Sequence, residues 1–325
     1  MEADLLRPEF TDPEKARAVL EAERWPDGPI CPHCGIIGEA YKLEPKEGAK
    51  THARKGVWKC AACREQFTVT IGTIFEDSHI PLNKWLAAIH LLCASKKGMS
   101  AHQLHRMLGI GYRAAWFMAH RIRYGMSQEP LSSKLAGIIE VDETYIGGKV
   151  PYGKKGYRWD SGRPHPTPRG THPRMSKAAV VSVLQRGGRV QSMHVERVTS
   201  ENLKPIIEQM IDESAHMMTD TSTVLKWSAN DRKHSKVNHS KKEYVRIEDG
   251  VKITTNAVEG YFGNLKRGIN GVYHHVGKHH LHRYLSEFDF RYNSRDVSDA
   301  ARARLALKGA DGKRLMLRDS REKSA

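Results

Sequence analysis

The chain runs to 325 residues with a formal net charge of +16, long enough for two or three modules, one of them with a sizeable core. A globular protein this basic faces a polyanion, and DNA, RNA and an anionic membrane surface all meet that description. No run of eighteen apolar residues exists to span a bilayer, and the N-terminal MEADLLRPEF is acidic without an apolar signal core, so a cytoplasmic setting is expected rather than secretion.

Residues 1–27 read as a short helical lead, with Thr11 as N-cap and Glu14 three residues later as in a capping box. Residues 28–75 are rich in Gly, Cys and short apolar runs, which predicts small strands. They hold two CxxC knuckles, Cys31-Pro-His-Cys34 and Cys60-Ala-Ala-Cys63. Each knuckle lets two thiolates reach one ion, and two of them complete a closed tetrahedral zinc site that is structural rather than catalytic. The stretch between them predicts a hairpin with a basic loop, and His33 reads as a surface residue. Cys93 falls on an apolar helical stripe and reads as buried.

Helical periodicity covers residues 80–127, within a segment taken as 76–130. Ile80 to Cys93 is one amphipathic helix. Ser100 to Leu108 is a capped helix ending in a glycine turn, and Tyr112 to Tyr124 is the next, with Arg113, His120, Arg121 and Arg123 among its polar positions. Helix, glycine-containing turn, helix is the punctuation of a DNA-binding helix-turn-helix whose second helix enters the major groove. An ordinary helical hairpin has the same spacing.

The third segment, 131–295, opens on the strand GIIEVDETYI and then on a Pro/Gly-rich basic insertion, 148–176, read as a loop or disordered segment. KAAVVSVLQRGGRVQSMHVERV predicts two strands around an Arg-Gly-Gly turn. Ser200 opens a helix, HMMTD is a short strand ending on an acid, and residues 255–270 and 277–292 read as helices. Residues 296–325 form a basic helical tail. Leu281, Tyr284, Leu285, Phe288 and Tyr292 repeat at helical spacing as a core stripe. Arg232, Lys233, Lys236, Lys241 and Lys242 read as a stripe for a nucleic-acid backbone. The crowded histidines His234, His239, His274, His275, His279, His280 and His282 read as phosphate contacts and polar packing rather than a metal site.

Three acids stand out. Asp142 and Asp220 end apolar strand runs, and Glu259 lies in a helix. Together they can converge on one sheet edge. Carboxylates gathered in this way suit Mg²⁺ or Mn²⁺, and two such ions roughly 3.5–4 Å apart serve in-line phosphoryl transfer. Asn256 and Lys266 share the helix face of Glu259, the first able to supply an extra oxygen ligand and the second as a phosphate contact. Glu140 and Asp231 compete with Asp142 and Asp220 for the ligand roles.

The runs VDETYIGGK, TTNAVEGYFGNLKRGINGVYHH and KHHLHRYLSEFDFRYN resemble insertion-sequence DDE-type transposases with an N-terminal zinc ribbon, the ISXO-like group, over about residues 15–295. The resemblance implies an α/β fold with a ribonuclease-H-like catalytic core and two divalent ions, Mg²⁺ or Mn²⁺, held by Asp142, Asp220 and Glu259, with Lys266 following. Some relatives carry asparagine in place of the third acid, which keeps Asn256 open beside Glu259. The implied partners are double-stranded DNA, as terminal inverted repeats and target, and further copies of the chain in a synaptic complex. A nucleoid-associated location follows from such partners, and no membrane does.

Overall fold

The computed structural model describes residues 4–44, 55–127, 134–147, 177–221 and 232–319, and only the backbone of 159–160 and 163–164. The insertion 148–176 is otherwise outside the described residues, as are the basic loop of the ribbon and Asp231. The chain divides into two compact units, Met1–Ser127 together with Ser294–Ala325, and Gln128–Asn293.

The first unit begins with helices α1 (Pro8–Thr11) and α2 (Pro13–Arg24). The N-cap of α2 is Asp12, not Thr11. Its carboxylate accepts from the N–H groups of Glu14 (2.7 Å) and Lys15 (3.4 Å). Pro13 at the first helical position fixes the boundary one residue later than the capping-box pattern suggests, and Thr11 closes α1 instead. Three short strands, β1 (Ala40–Lys42), β2 (Val57–Cys60) and β3 (Gln66–Thr68), pair antiparallel in that order. Trp25, just past α2, packs edge-on against Trp58 and Phe67, with ring centroids 5.9 and 5.7 Å away. Edge-to-face packing of this kind anchors a small sheet that has little core of its own.

Helices α3 (Leu82–Ala94), α4 (Ala101–Leu108) and α5 (Tyr112–Met126) follow. Trp85, Ile89, Leu92 and Cys93 of α3 are buried. The α4–α5 connection is as the sequence suggests. Ser100 Oγ accepts from Gln103 N at 3.2 Å, and Gly109 turns the chain at φ +58°, a left-handed conformation that glycine adopts without strain. The C-terminal segment carries α9 (Asp299–Lys308) back onto α3, with Arg302 donating to the Cys93 carbonyl at 3.1 Å. Residues 296–319 therefore belong to the first unit, with Ala306, Leu307, Ala310 and Leu315 buried.

The second unit is built on five strands, β4 (Ile138–Ile146), β5 (Ala178–Gln185), β6 (Val190–Val195), β7 (His216–Asp220) and β8 (His234–Val237), in the order β8-β7-β4-β5-β6. The first three in sequence pair antiparallel, and β7 and β8 join parallel. Helix α6 (Ser200–Met210) crosses between β6 and β7, capped by Thr199. Side-chain alternation sorts the two faces. Ile139, Val141, Val181 and Val183 pack with Leu203 and Ile207 of α6. Val180, Leu184 and Val190 pack on the other face with α7 (Asn256–Gly268) and α8 (Leu281–Asn293), and the stripe of Leu281, Leu285 and Phe288 lies in that core.

Strand β8 and the hairpin β9 (Arg246–Glu248)–β10 (Val251–Ile253) do not show in the apolar pattern. In β8, the polar side chains are satisfied laterally: His234 Nε2 lies 2.8 Å from Thr219 Oγ1, and Ser235 Oγ lies 2.9 Å from His216 Nε2. The strand is held by hydrogen bonds where the periodicity rule looks for alternating apolar residues.

Loss of the α2 cap has a definite cost. Asp12→Ala is expected to lower stability by about 1 kcal/mol, and Thr11→Ala by less than half of that. Urea unfolding of the two variants checks the assignment, and equal losses would contradict it.

Candidate functional site

The four knuckle cysteines face one another. Cys31 and Cys63 sulfurs are 3.6 Å apart, Cys34 and Cys60 sulfurs 3.7 Å, and all four lie within 4.8 Å. A tetrahedral zinc with sulfurs at about 2.3 Å separates them by about 3.8 Å, so the donor set fits that ion and is arranged to bind it. Burial resists ionisation of Cys31, yet N–H groups of Cys34 and His33 and the neighbouring thiols outweigh it and bring its pKa from 9.0 to about 6. A thiolate ready at neutral pH is what zinc ligation requires. His33 is exposed and stands outside the set.

The three acids come together on the second unit. Asp142 points to the α7 face from the middle of β4, and Asp220 ends β7, its parallel neighbour. The register pairs Ile138 with His216 and Glu140 with Met218, where this ladder ends, so by alternation Asp142 and Asp220 fall two residues beyond it on the same face. Glu259 reaches that face from the first turn of α7. Burial first, and then the charges of Glu143, Asp220 and Glu259, push the Asp142 carboxyl from 3.8 to about 7, against a hydrogen bond from the Glu143 N–H at 2.8 Å. Among the described residues only the cysteines gather three or more ligand atoms within 4.8 Å. The acids are close enough to repel but not packed that tightly. Glu259 accepts from Thr255 Oγ1 at 3.0 Å and pairs with His239 Nε2 at 3.0 Å. Asn256 and Lys266 are both exposed on α7.

Two residues at this site have partners that the sequence reading did not supply. His239 is one of the histidines assigned to phosphate contact or polar packing, yet its side chain lies against Glu259. Glu140, the rival for Asp142, has no exposed surface, and both of its oxygens are engaged. One accepts from Arg186 Nε (3.0 Å) and Nη2 (2.8 Å), and the other from the N–H groups of Ala257 (2.9 Å) and Val258 (3.0 Å). A buried network lies level with Asp142 on the next two strands: Ser182 Oγ to Ser192 Oγ at 2.7 Å, and Ser192 Oγ to Asp289 Oδ1 at 2.8 Å, with Tyr261 of α7 donating to the same oxygen.

The basic positions divide. Arg113 and Arg106 are exposed, and Tyr112 stacks on His102 at 4.2 Å beside an open groove of about 430 Å³ lined by Tyr112, Arg113, Trp116, Phe117 and Leu317. His120, Arg121 and Arg123, read with Arg113 as polar positions of the helix, are buried. The Arg121 guanidinium sits over the rings of Trp85 (5.3 Å) and Phe117 (5.4 Å) and donates to the Glu76 carbonyl. In the supposed backbone stripe, Arg232 is buried and donates to the carbonyls of Ile211 (2.9 Å) and Asp212 (3.1 Å) after α6. It is thus spent on structure, while Lys233, Lys241 and Lys242 remain exposed.

Residues 134–293 match the model of the ISXO2-like transposase domain, and residues 11–66 match the transposase zinc-ribbon domain. The chain belongs to the ISXO2-like transposases. It is also similar, at 24% identity over 143 residues, to an uncharacterized protein in transposable element ISH50 of Halobacterium salinarum. That likeness covers 42% of this chain and 43% of the relative, so the chain spans less than half the length of the curated relative it matches. No helix among the described residues of the transposase is long and apolar enough to cross a membrane.

Two measurements test these centres. Metal analysis of the purified transposase is expected to find one zinc per chain, and Cys60→Ser is expected to lose both the zinc and the shielding of Trp25 and Trp58, read by fluorescence. The second concerns Asp142. A carboxyl raised from 3.8 to about 7 in the fold contributes stability that is full below about pH 4 and lost as pH rises through about 7. In chelator, Asp142→Asn is therefore expected to melt above the native protein at pH 8, with the gap shrinking toward pH 4. A gap independent of pH would contradict the burial and crowding described.

Proposed function

We propose that this chain cuts the ends of its own insertion sequence and joins the freed 3′-hydroxyl to target DNA, using Asp142, Asp220 and Glu259. The observation that carries the reading is that Asp142 and Asp220 lie on one face of adjacent parallel strands, where the charges of Asp220 and Glu259 both act on Asp142. Three antiparallel strands followed by a helix and two parallel strands support reading the second unit as a ribonuclease-H-like core.

The donor set fits hard divalent cations such as Mg²⁺ or Mn²⁺. It is all carboxylate oxygen, and the negative charge crowding Asp142 is what such an ion neutralises. Bound there, a pair of ions would supply activation of the attacking oxygen and stabilisation of the leaving one. Asp142, Asp220 and Glu259 are the residues to hold them, with Asn256 as the alternative third ligand. A carboxylate offsets cation charge and an amide does not, which favours Glu259. Lys266, about two turns along α7 from Glu259, is placed on that face to hold a phosphate of the DNA. His239 steadies the Glu259 carboxylate.

DNA binding falls to several surfaces. Helices α4 and α5 present Arg106, Tyr112 and Arg113 in a helix-turn-helix arrangement. Lys233, Lys241 and Lys242 offer contacts to the backbone that give affinity without sequence reading. The zinc holds the ribbon's knuckles together and takes no part in the reaction. Joining two element ends calls for two or more copies of the chain.

The test is a strand-transfer assay with terminal-repeat DNA from the flanks of its own gene, a plasmid target and Mg²⁺. The native protein is expected to yield joined products. Asp142→Asn is expected to bind the same DNA and yield none. Specific binding without cutting or joining by either protein would leave a DNA-binding regulator in place of the enzyme.

A further inference from the structure

Helix α7 carries Glu259, yet its own N-cap residue does not cap it. Thr255 makes no side-chain cap hydrogen bond, and its hydroxyl is instead donated to Glu259 Oε1 at 3.0 Å. The free N–H groups of the first turn point to Glu140, which lies 117 residues earlier in sequence from Ala257 and 118 from Val258. A carboxylate at a helix N-terminus meets unpaired donors and the positive end of the helix dipole. Burying that carboxylate completely is costly unless every lone pair is used. Arg186 completes it, with two N–H groups on the other oxygen, and its remaining donors bind the Lys252 carbonyl at 2.8 Å and the Thr254 carbonyl at 3.2 Å. Those two carbonyls belong to the segment that leads into α7.

The two elements joined in this way are the ones that carry the acids. Glu140 stands two residues before Asp142 on the same face of β4. Ala257 and Val258 stand just before Glu259. We infer that Glu140 is a positioning residue, whose buried carboxylate, clamped by Arg186, fastens the Glu259 helix to the Asp142 strand and so sets the spacing of the two metal-binding acids. This inference rests on the reading of Asp142 and Glu259 as cation ligands. It takes Glu140 out of the ligand set and gives its negative charge another use.

The experiment is a double-mutant cycle in Mn²⁺ affinity, measured by calorimetry on the full chain. The proteins are native, Asp142→Asn, Glu140→Gln, Glu259→Ala, the Glu140→Gln/Glu259→Ala pair, and Arg186→Lys. Glutamine keeps the shape of Glu140 but turns donors toward donors. Glu140→Gln is expected to weaken Mn²⁺ binding about tenfold or more, the usual effect of losing a group that orients a ligand. In the Glu259→Ala background it is expected to change binding less than about twofold, because the helix it positions no longer carries a ligand. Arg186→Lys, which retains the charge and the packing stem, is expected to weaken binding in the same direction.

Hydrogen exchange in chelator supplies a reading free of metal. Glu140→Gln is expected to lose protection at the first turn of α7 and keep it in α6. Equal weakening by Glu140→Gln in both backgrounds would make Glu140 a ligand in its own right and overturn the inference, as would unchanged Mn²⁺ affinity or loss of protection spread evenly over α6 and α7. Failure of the underlying reading has a different mark. If Asp142→Asn leaves Mn²⁺ affinity untouched, the site binds no cation there, whatever Glu140 does.

Discussion

Carboxylates repel, and the second unit brings those of Glu143, Asp220 and Glu259 within electrostatic reach of Asp142. Asp142 is moreover deprived of most of its water, so its charge is disfavoured twice over. Such an arrangement persists only if the surrounding elements hold the acids more firmly than repulsion drives them apart. The sheet does this for Asp142 and Asp220, since both are backbone-paired on neighbouring strands. Glu259 comes from a helix and needs a separate tether. The bonds of Glu140 to Ala257 and Val258, and the packing of Val258, Phe262 and Leu265 onto Val180 and Leu184, hold that helix in place. The buried Ser182–Ser192–Asp289–Tyr261 network stiffens the same face one and two strands away.

The ribbon meets a related constraint by other means. Its strands are three or four residues long and bury little, so the chain relies on four sulfurs and on the indole of Trp25 to keep its shape. Here too the ionisable groups are crowded, and the hydrogen bonds that favour a thiolate at Cys31 leave the site ready for a cation.

Much of this was legible in the residues. The CxxC spacing and the glycine turn between α4 and α5 are local signals, and each survives in the structure at the expected place; Asp220 ends its strand as read, whereas Asp142 lies in the middle of β4. What the sequence hid is non-local or disguised. Strand β8 has one apolar residue facing the core, Val237, and holds its place through His234 and Ser235. Arg121 reads as polar because its type is charged, yet its stem and guanidinium lie on Trp85 and Phe117, where burial is compatible with charge. Arg232 reads as a phosphate contact until its acceptors, the carbonyls 20 and 21 residues earlier, are seen. Glu140 and Asp142 share a strand face and differ only in what lies opposite. That depends on Arg186 and on helix α7, 46 and 117 residues away.

The return of α9 to α3 has a consequence for how the molecule is made. Ribosomes release the chain from its N-terminus, and domains fold as their residues emerge. The apolar surface of α3 waits for a partner that lies some two hundred residues downstream, as the separation of 209 between Cys93 and Arg302 shows. Everything needed for the acid-bearing sheet is synthesised in that interval. The second unit can therefore close as an uninterrupted stretch of chain, whereas the first must hold its helices open until the last segment arrives. Shortening the C-terminus would then injure the unit that carries the ribbon and the α4–α5 pair, and spare the acids that lie closer to it in sequence.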